Sequence, residues 1–459
     1  MARPFEILHG LSEKALAKAR ELGASEAEFY ATWSRELLVK VAGGNIVGIV
    51  DKSIGRYCVR VAVGKKIGVY GSEELSLETI DKVVETAIKT AKAAPEDPRW
   101  SGFARGYDRA SVEGIYDEKT ASMEANELME ITKKTLDTAV DAAKKKGAKE
   151  ALVSRALIGV GETLLFIANS YGEEIYGKTS SAGAWIQVKV KKGGNESSYS
   201  ALYDSRKMVE EKIYGEVEKA GSLAVEFLKA KPVDSGVYRA YFTPRVAALI
   251  LSTVLSPALS ALNVQEKRSP LRDKIGQEVF SDKITIYDDP YMPWAPGARE
   301  FDDEGIKTTK KPLFQKGVLA NYVYDYYTAK RENKESTGNA RRRNITSPPT
   351  PVVYNLAVEP GGLSEDLIAK EVKEGIIIYD VIGYWMSNPV NGNIMATVSH
   401  GFYVKGGKIK HPIKGVVISG NLYKLLKEDL VGLSKERVVI ENTVSPGILV
   451  ERINVAGKK

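Results

Sequence analysis

His9, His400 and His411 are the only histidines in the 459-residue chain, and Cys58 is its only cysteine. Metal chemistry needs such donors close together. No two of these histidines stand at the i, i+4 spacing that puts both on one helix face. His400 and His411 flank Gly406-Gly407, so a hairpin there would set them on facing strands. An atypical metallo-hydrolase site around this pair, with Asp302, is one reading; surface or structural histidines are the other. Asp302-Asp303-Glu304-Gly305 has the oxygens for a hard cation but lacks the alternate-position spacing of a calcium loop. A solvated loop entering a strand is the plainer reading, and Asp288-Asp289-Pro290 reads the same way. A lone cysteine excludes an intramolecular disulfide and a Cys-cluster zinc site. Cys58 falls in the alternating run Tyr57–Val61 and reads as a small residue packed in a sheet. There is no Gly-x-Ser-x-Gly elbow, no Walker-A loop and no Gly-x-Gly-x-x-Gly between a strand and a helix. The chain therefore reads as one subunit of a larger machine.

The segment Ser336–Asn344 is the most unusual locally. It places Arg341, Arg342 and Arg343 between a Tyr-rich strand (Tyr322, Tyr324, Tyr326, Tyr327) and Pro348, Pro349 and Pro351. Arginine forks grip carboxylates or phosphates bidentately. Asn339, Arg341 and Arg342 read either as a cleft wall holding an acidic group or a peptide terminus, or as internal ion pairs tying loops together. The net charge of +7 is spread over the whole chain, a mild bias and not a nucleic-acid signature.

These residues need a scaffold, and the apolar spacing describes one. A first helix is expected over Ser12–Leu22, then strands around Val39–Val41 and Val59–Val63, joined through a Gly43-Gly44-Asn45 turn. Leu77, Ile80, Val84, Ala87, Ile88 and Ala91 share one helical face after Ser76, and Pro95 stops that helix. A connector with Pro95, Pro98, Gly102, Gly106 and Gly114 follows. A second helix is expected over Ser122–Lys146 with Gly147 at C′; its Lys144-Lys145-Lys146 complements the helix C-terminus. Strands return over Ala151–Tyr203. There Val188–Asn195 resembles Val39–Asn45, a hint of internal duplication. A third helix, Arg206–Lys229, leads to the boundary Lys231–Gly236. One apolar helix and many short, Gly-punctuated strands come after it.

The fold class is therefore α+β. A strand-and-helix N-terminal domain is expected over 1–230, with a break near 95–117. A mainly antiparallel, barrel-like β domain is expected over 231–459, with one buried helix at 244–262. Hydrophobic residues make up 43% and charged residues 27%, ordinary for a soluble globular protein. No stretch approaches the ~18 apolar residues of a spanning helix. Met1 leads straight into charged, helix-like sequence without a signal-peptide pattern. A cytoplasmic location is expected. Lys and Glu are abundant and Gln is confined to Gln187, Gln265, Gln277 and Gln315, which leans towards a thermophilic source.

The C-terminal half carries an ordered series of pieces. They are Phe301–Gly305, the hairpin Leu313–Leu319, Tyr324–Lys330, Ser336–Arg342, Val358–Gly362, Asn388-Pro-Val-Asn-Gly-Asn393 and Ser399-His-Gly401. Their order and spacing resemble the TldD/PmbA family, once called modulators of DNA gyrase, and the likeness runs over nearly the whole chain. The resemblance implies one of two branches. TldD-like members are zinc proteases with His-Glu-x-x-x-His on the first helix of the C-terminal domain and a Cys near the C-terminus. PmbA/TldE-like members lack these ligands and pair with a TldD-like subunit to degrade or process peptides, including antibiotic precursors.

Counted back from Ile275-Gly276, the motif positions fall near Ser252, Thr253 and Pro257, and no Cys follows Cys58. None of the three is a useful zinc ligand, and no Glu stands there as a base. The resemblance thus points to the PmbA/TldE branch: a non-catalytic subunit, with no cofactor of its own and zinc in a TldD-like partner. Heterodimers, homodimers or both are expected, with unfolded peptide as substrate and no membrane partner. Asn339, Arg341, Arg342, Asn388, Asn391 and His400 are the candidate cleft residues. The old family name and the Arg341–Arg343 run leave a gyrase- or nucleic-acid-associated role as a further alternative.

Overall fold

Alternating apolar and small polar residues over unusually long runs build the first sheet. In this computed structural model, which describes residues 4–457, its strands are β1 (Glu26–Ala42), β2 (Asn45–Val63), β3 (Lys66–Ser72), β4 (Glu150–Asn169), β5 (Glu174–Lys192) and β6 (Asn195–Ser205). The order is β3-β2-β1-β4-β5-β6, antiparallel throughout. Successive side chains on a strand point to opposite faces. Phe29, Ala31, Leu37 and Val39 of β1 lie on one face, in the cores shared with the helices. Tyr30, Thr32, Ser34, Glu36 and Leu38 lie on the other.

Four helices cover the first face: α1 (Pro4–Glu21), α2 (Ile80–Ala93), α3 (Ala125–Lys145) and α4 (Glu210–Glu226). α1 begins two turns before the expected Ser12, at Pro4, a residue whose fixed φ suits a first helical turn. A reciprocal capping box between Glu124 and Glu127 starts α3. Of the expected apolar face of α2, Ile80, Val84, Ala87, Ile88 and Ala91 are all buried, but Leu77 lies before the helix and is exposed, because the helix starts only at Ile80.

Each half of this layer runs helix, three strands, helix: α1-β1-β2-β3-α2, then α3-β4-β5-β6-α4. The halves meet where β1 pairs β4, with Ser34 opposite Thr163. The likeness of the two Gly-Gly-Asn segments has a different origin. Gly43-Gly44 joins the first two strands of its half, whereas Gly193-Gly194 joins the last two of the other. These turns are not equivalent in the repeat. They share a composition because all four glycines adopt positive φ, between 56° and 83°, as tight hairpins require.

The second sheet closes on itself. β7 (Gly236–Phe242), β8 (Gly375–Ile382), β9 (Asn393–Lys405), β10 (Val416–Asn421) and β11 (Thr443–Ala456) form a ring. β8 pairs β9, β9 pairs β10, β10 pairs β11 and β11 pairs β7, all antiparallel, and the parallel pair β7–β8 completes the barrel. The apolar helix expected over 244–262 is buried but broken. α5 (Pro244–Ile250) passes into a π-helical turn at Leu251–Leu255 and a short helix at Ser256–Ala258. Pro257 has no N–H to continue the ladder, and Ser260 is extended (φ −69°, ψ 122°). Val246, Ile250, Val254 and Leu255 share the core with Phe242, Ile418 and Ile448 of the barrel.

Candidate functional site

The middle of the helix-free face of the first sheet is poor in large side chains. Along it stand Thr32, Ser34 and Glu36 of β1, Gly159, Gly161 and Thr163 of β4, and Gly177, Thr179, Ser181 and Gly183 of β5, in facing register. Loops of the second half of the chain close over this face and leave a trough with cavities set end to end. One, of 250 Å³, is lined by Thr32, Thr163, Thr179 and by Arg206, Arg299 and Arg341. The next, of 810 Å³, begins at Ser181 on the same face of β5 and is lined by Glu36, Trp185, Asp204, Arg245, Asp380 and Glu441. A third, of 450 Å³, shares Asp204 and Arg245 with it and runs on to Lys212 and Trp294.

The first two cavities carry opposite charge. Arg206 donates through its Nη atoms to the carbonyls of Ser180 (3.1 Å) and Ala298 (3.2 Å). Its Nε is shielded from water and has no partner. Burial, with the charges of Arg299 and Arg341 beside it, pulls its pKa down to about 10. Arg299 is held by Asp303 (3.1 Å) and the Tyr354 hydroxyl (3.1 Å). Beyond, Arg245 donates to Ser200 O (2.6 Å) and pairs with Asp380 (3.2 Å). These bonds clamp β6 to the barrel. Asp204 opens onto cleft water yet is walled by protein; that enclosure, more than the charge of Glu441, pushes its carboxyl up to about 6.

The residues singled out from sequence do not assemble into one cleft. Arg341 is exposed at the basic cavity. Arg342 borders the same cavity, but its guanidinium is turned inward onto Glu28 of β1, which also takes Arg60 of β2 at 3.2 Å. It stacks over Tyr30, 4.3 Å from the ring centroid. Asn339 is fully buried. Its amide donates to Asp288 and Val352 O and accepts from Lys311 and Thr337. Every hydrogen-bonding position is used internally, so the cleft reading fails for Asn339, and the ion-pair reading describes Arg342. The Arg341–Arg343 run is consequently not a continuous phosphate-binding patch.

Asn388 and Asn391 shape an exposed turn: Asn388 Oδ1 accepts from Val390 N (2.9 Å) and Asn391 Oδ1 from Asn393 N (3.0 Å). His400 is wedged between Tyr199 and Phe227, with ring centroids 5.0 and 4.7 Å away. Its Nε2 meets Ser198 O at 2.7 Å and its Nδ1 meets Ser399 Oγ at 3.1 Å. Burial lowers its pKa. It pins β6 to β9 and lines none of the three cavities. His411 pairs across its hairpin with Tyr403, not His400, and its Nδ1 rests on Pro412 O at 3.1 Å. The metallo-hydrolase reading around these histidines finds no shared site.

Both acidic runs are buried, against the expectation of solvated loops. Asp302 accepts from the N–H groups of Glu304, Ile306 and Ala340. Asp288 accepts from Lys311, Asn339 and the N–H groups of Tyr354 and Asn355. These are loop staples with their oxygens occupied. Among the described residues, no group of three or more His, Cys, Asp or Glu is placed to hold a metal ion.

Zinc, which the family implies, can be tested against the motif positions. The hydroxyls of Ser252 and Thr253 both bond back to Leu249 O, at 3.1 and 2.8 Å, and Pro257 offers no donor. These residues do not fit zinc. Cys58 is buried within the sheet, and burial raises its thiol to about 11.

Arg206, Arg245, Arg299 and Asp204 line the trough and were not singled out from sequence. The signal that could have found the trough is the Gly/Ser/Thr alternation on one face of β4 and β5. That pattern marks a stretch of sheet with few large side chains of its own.

Residues 235–457 match the family profile of the PmbA/TldA metallopeptidase C-terminal domain, and residues 27–91 match domain 1 of the same metallopeptidases. An uncharacterized protein of Methanocaldococcus jannaschii is 28% identical over 90% of this chain and 92% of its own length. The metalloprotease PmbA of Escherichia coli O157:H7 is 22% identical over 97% and 96%. The crystal structure of TldE from Thermococcus kodakarensis superposes with a TM-score of 0.89 at 25% identity, over 97% of this chain and all of that one. A putative modulator of a DNA gyrase from Thermotoga maritima does so at 0.85 and 24%, over 98% and all. A long-stranded half-barrel and a closed five-stranded barrel are thus an architecture shared with these solved structures. The chain belongs to the PmbA/TldE family. Among the described residues no helix is long and apolar enough to cross a membrane.

Proposed function

We propose that the chain is the non-catalytic, PmbA/TldE-type subunit of a TldD/TldE-like metalloprotease complex that degrades or processes peptides. Zinc and the base that activates water belong to a TldD-like partner, and this chain shapes the substrate trough. The observation that carries the reading is chemical. The trough is large enough for an extended peptide, but neither His nor Cys lines its three cavities, and the motif positions hold Ser252, Thr253 and Pro257.

A second feature supports a partner. Ile382, Trp385, Met386 and Val390 form an apolar patch beside the larger cavity, with Trp385 67% and Met386 63% exposed. Ile382 and the adjoining Tyr384 line that cavity. Exposed apolar patches of this kind mark protein contacts. A partner seated there would bring its own reaction centre to the mouth of the trough.

Two measurements test the proposal. Elemental mass spectrometry of the purified, untagged chain is expected to find well below one zinc per chain. A TldD-like protease, assayed on an unfolded peptide, is expected to gain activity when this chain is added. Stoichiometric zinc that resists dialysis, or no gain with the partner, would count against the subunit role.

A further inference from the structure

We infer that the 250 Å³ basic cavity is a carboxylate site that takes the C-terminal group of an extended peptide lying in the trough. The inference rests on the peptide-handling role proposed above and assigns the direction in which the peptide lies.

The charge balance carries it. Five cations line the cavity: Lys178, Arg206, Arg299, Arg341 and Arg342. Arg299 is paired with Asp303 and Arg342 with Glu28. The two carboxylates in the lining are both engaged, Asp303 by Arg299 and Glu300 by Arg109 at 3.6 Å. Lys178, Arg206 and Arg341 have no carboxylate partner among the described residues. The bonds of Arg206 to two carbonyls orient its guanidinium without neutralising it, and its buried Nε is left unbonded. A partly enclosed cation beside other cations is costly unless an anion joins it. A carboxylate can accept from several such forks at once.

Size and surroundings select the anion. The cavity is below the ~300–1,000 Å³ typical of sites for drug-sized ligands and cofactors, and suits a terminal residue with its carboxylate. Along β5 the next cavity has the opposite character. Asp204 and Glu441 line it without an ion-pair partner among the described residues, while Asp380 is held by Arg245. A peptide with its carboxylate among the arginines would present its earlier positions, or its amino end, to these acids.

The experiment uses the full chain alone and an N-terminally fluorescent penta-alanine, as free acid and as C-terminal amide, followed by anisotropy at low salt. The free acid is expected to bind about tenfold more tightly than the amide, the worth of one charge-assisted contact. Arg341→Ala, an exposed side chain without hydrogen bonds, should abolish that preference. Arg343→Ala, two residues on and outside the lining, should keep it. No binding of the acid, equal binding of acid and amide, or a preference that survives Arg341→Ala would overturn the assignment. An amidated peptide ending in Asp that matches the free acid would move the site from the terminus to acidic side chains, which also overturns it. Because no partner is present, failure here leaves the subunit reading standing. Failure of partner-stimulated proteolysis would likewise leave a measured carboxylate preference standing.

Discussion

Single residues in this chain are governed by partners far away in sequence. Arg342 meets Glu28 across 314 positions, so composition alone could not separate a cleft arginine from a buried ion pair. The same holds for the acidic run. Burial, reinforced by the charges of Asp325 and Asp302, holds the Glu304 carboxyl well above its usual 4.5. Burial likewise pushes Asp302 up to about 7. A carboxyl whose pKa is raised on folding stabilises the fold in its protonated form. Its contribution is full below the unfolded value and is lost as pH rises through the folded one. These groups therefore remove stability as pH climbs from about 4 through 7 and above. Glu304→Gln keeps an oxygen to accept from Tyr326 N, now at 2.8 Å, and deletes one titration. Its melting temperature, set against that of the parent, should shift in the variant's favour from pH 5 to pH 8. A difference that stays constant, or moves the other way, would show that Glu304 is ionised in the fold throughout.

At the scale of elements, packing distances decide what sequence can vary. α4 presses on α3 at Gly221, where an added Cβ would stand 2.5 Å from Ala139 O and 3.1 Å from Ala143 N. Gly221→Val must drive the helices apart, at about 1–3 kcal/mol. Denaturant unfolding should show that loss, and an unchanged midpoint would mean that α4 shifts freely. The helices were legible from sequence because their apolar stripes are local: Ile80, Val84 and Ala87 of α2 are buried as expected. Most strands were legible through alternation and through Gly-Gly turns. Sheet order was not, because β1 pairs β4 across the whole α2 connector. The barrel-like second domain was legible as such, but not the pair that closes it, β7 in parallel with β8 more than a hundred residues later. The break in the apolar helix was signalled by Pro257, yet uninterrupted apolar spacing on either side concealed it. For the trough, Arg341 was visible as a basic residue in an odd segment. Arg206 and Arg299 stand alone in their own segments and acquire meaning only where the fold brings them together.

At the scale of the whole molecule, one wall of the trough is a sheet whose middle is built of Gly, Ser and Thr and the other is the loops and barrel of the second half. The barrel strands and the 3-10 turn Tyr384–Met386 place an apolar patch at the edge of that opening. Tyr384 packs edge-on against Trp385, 5.2 Å between centroids, so the patch is ordered rather than a loose tail. An ordered, exposed tryptophan costs little conformational entropy on docking and carries a large apolar area. If this patch seats the partner subunit, Trp385→Glu places a charge where the interface must be dry. The expected cost is that of a binding hot spot, about 2 kcal/mol or more, which weakens association at least thirtyfold. Sedimentation velocity with a TldD-like partner, and with the chain alone for self-association, would read it. The melting temperature should hardly change, because a side chain this exposed supports little of the core. Unchanged association at full stability would remove the patch from the interface and leave the charged rim of the trough as the surface to vary next.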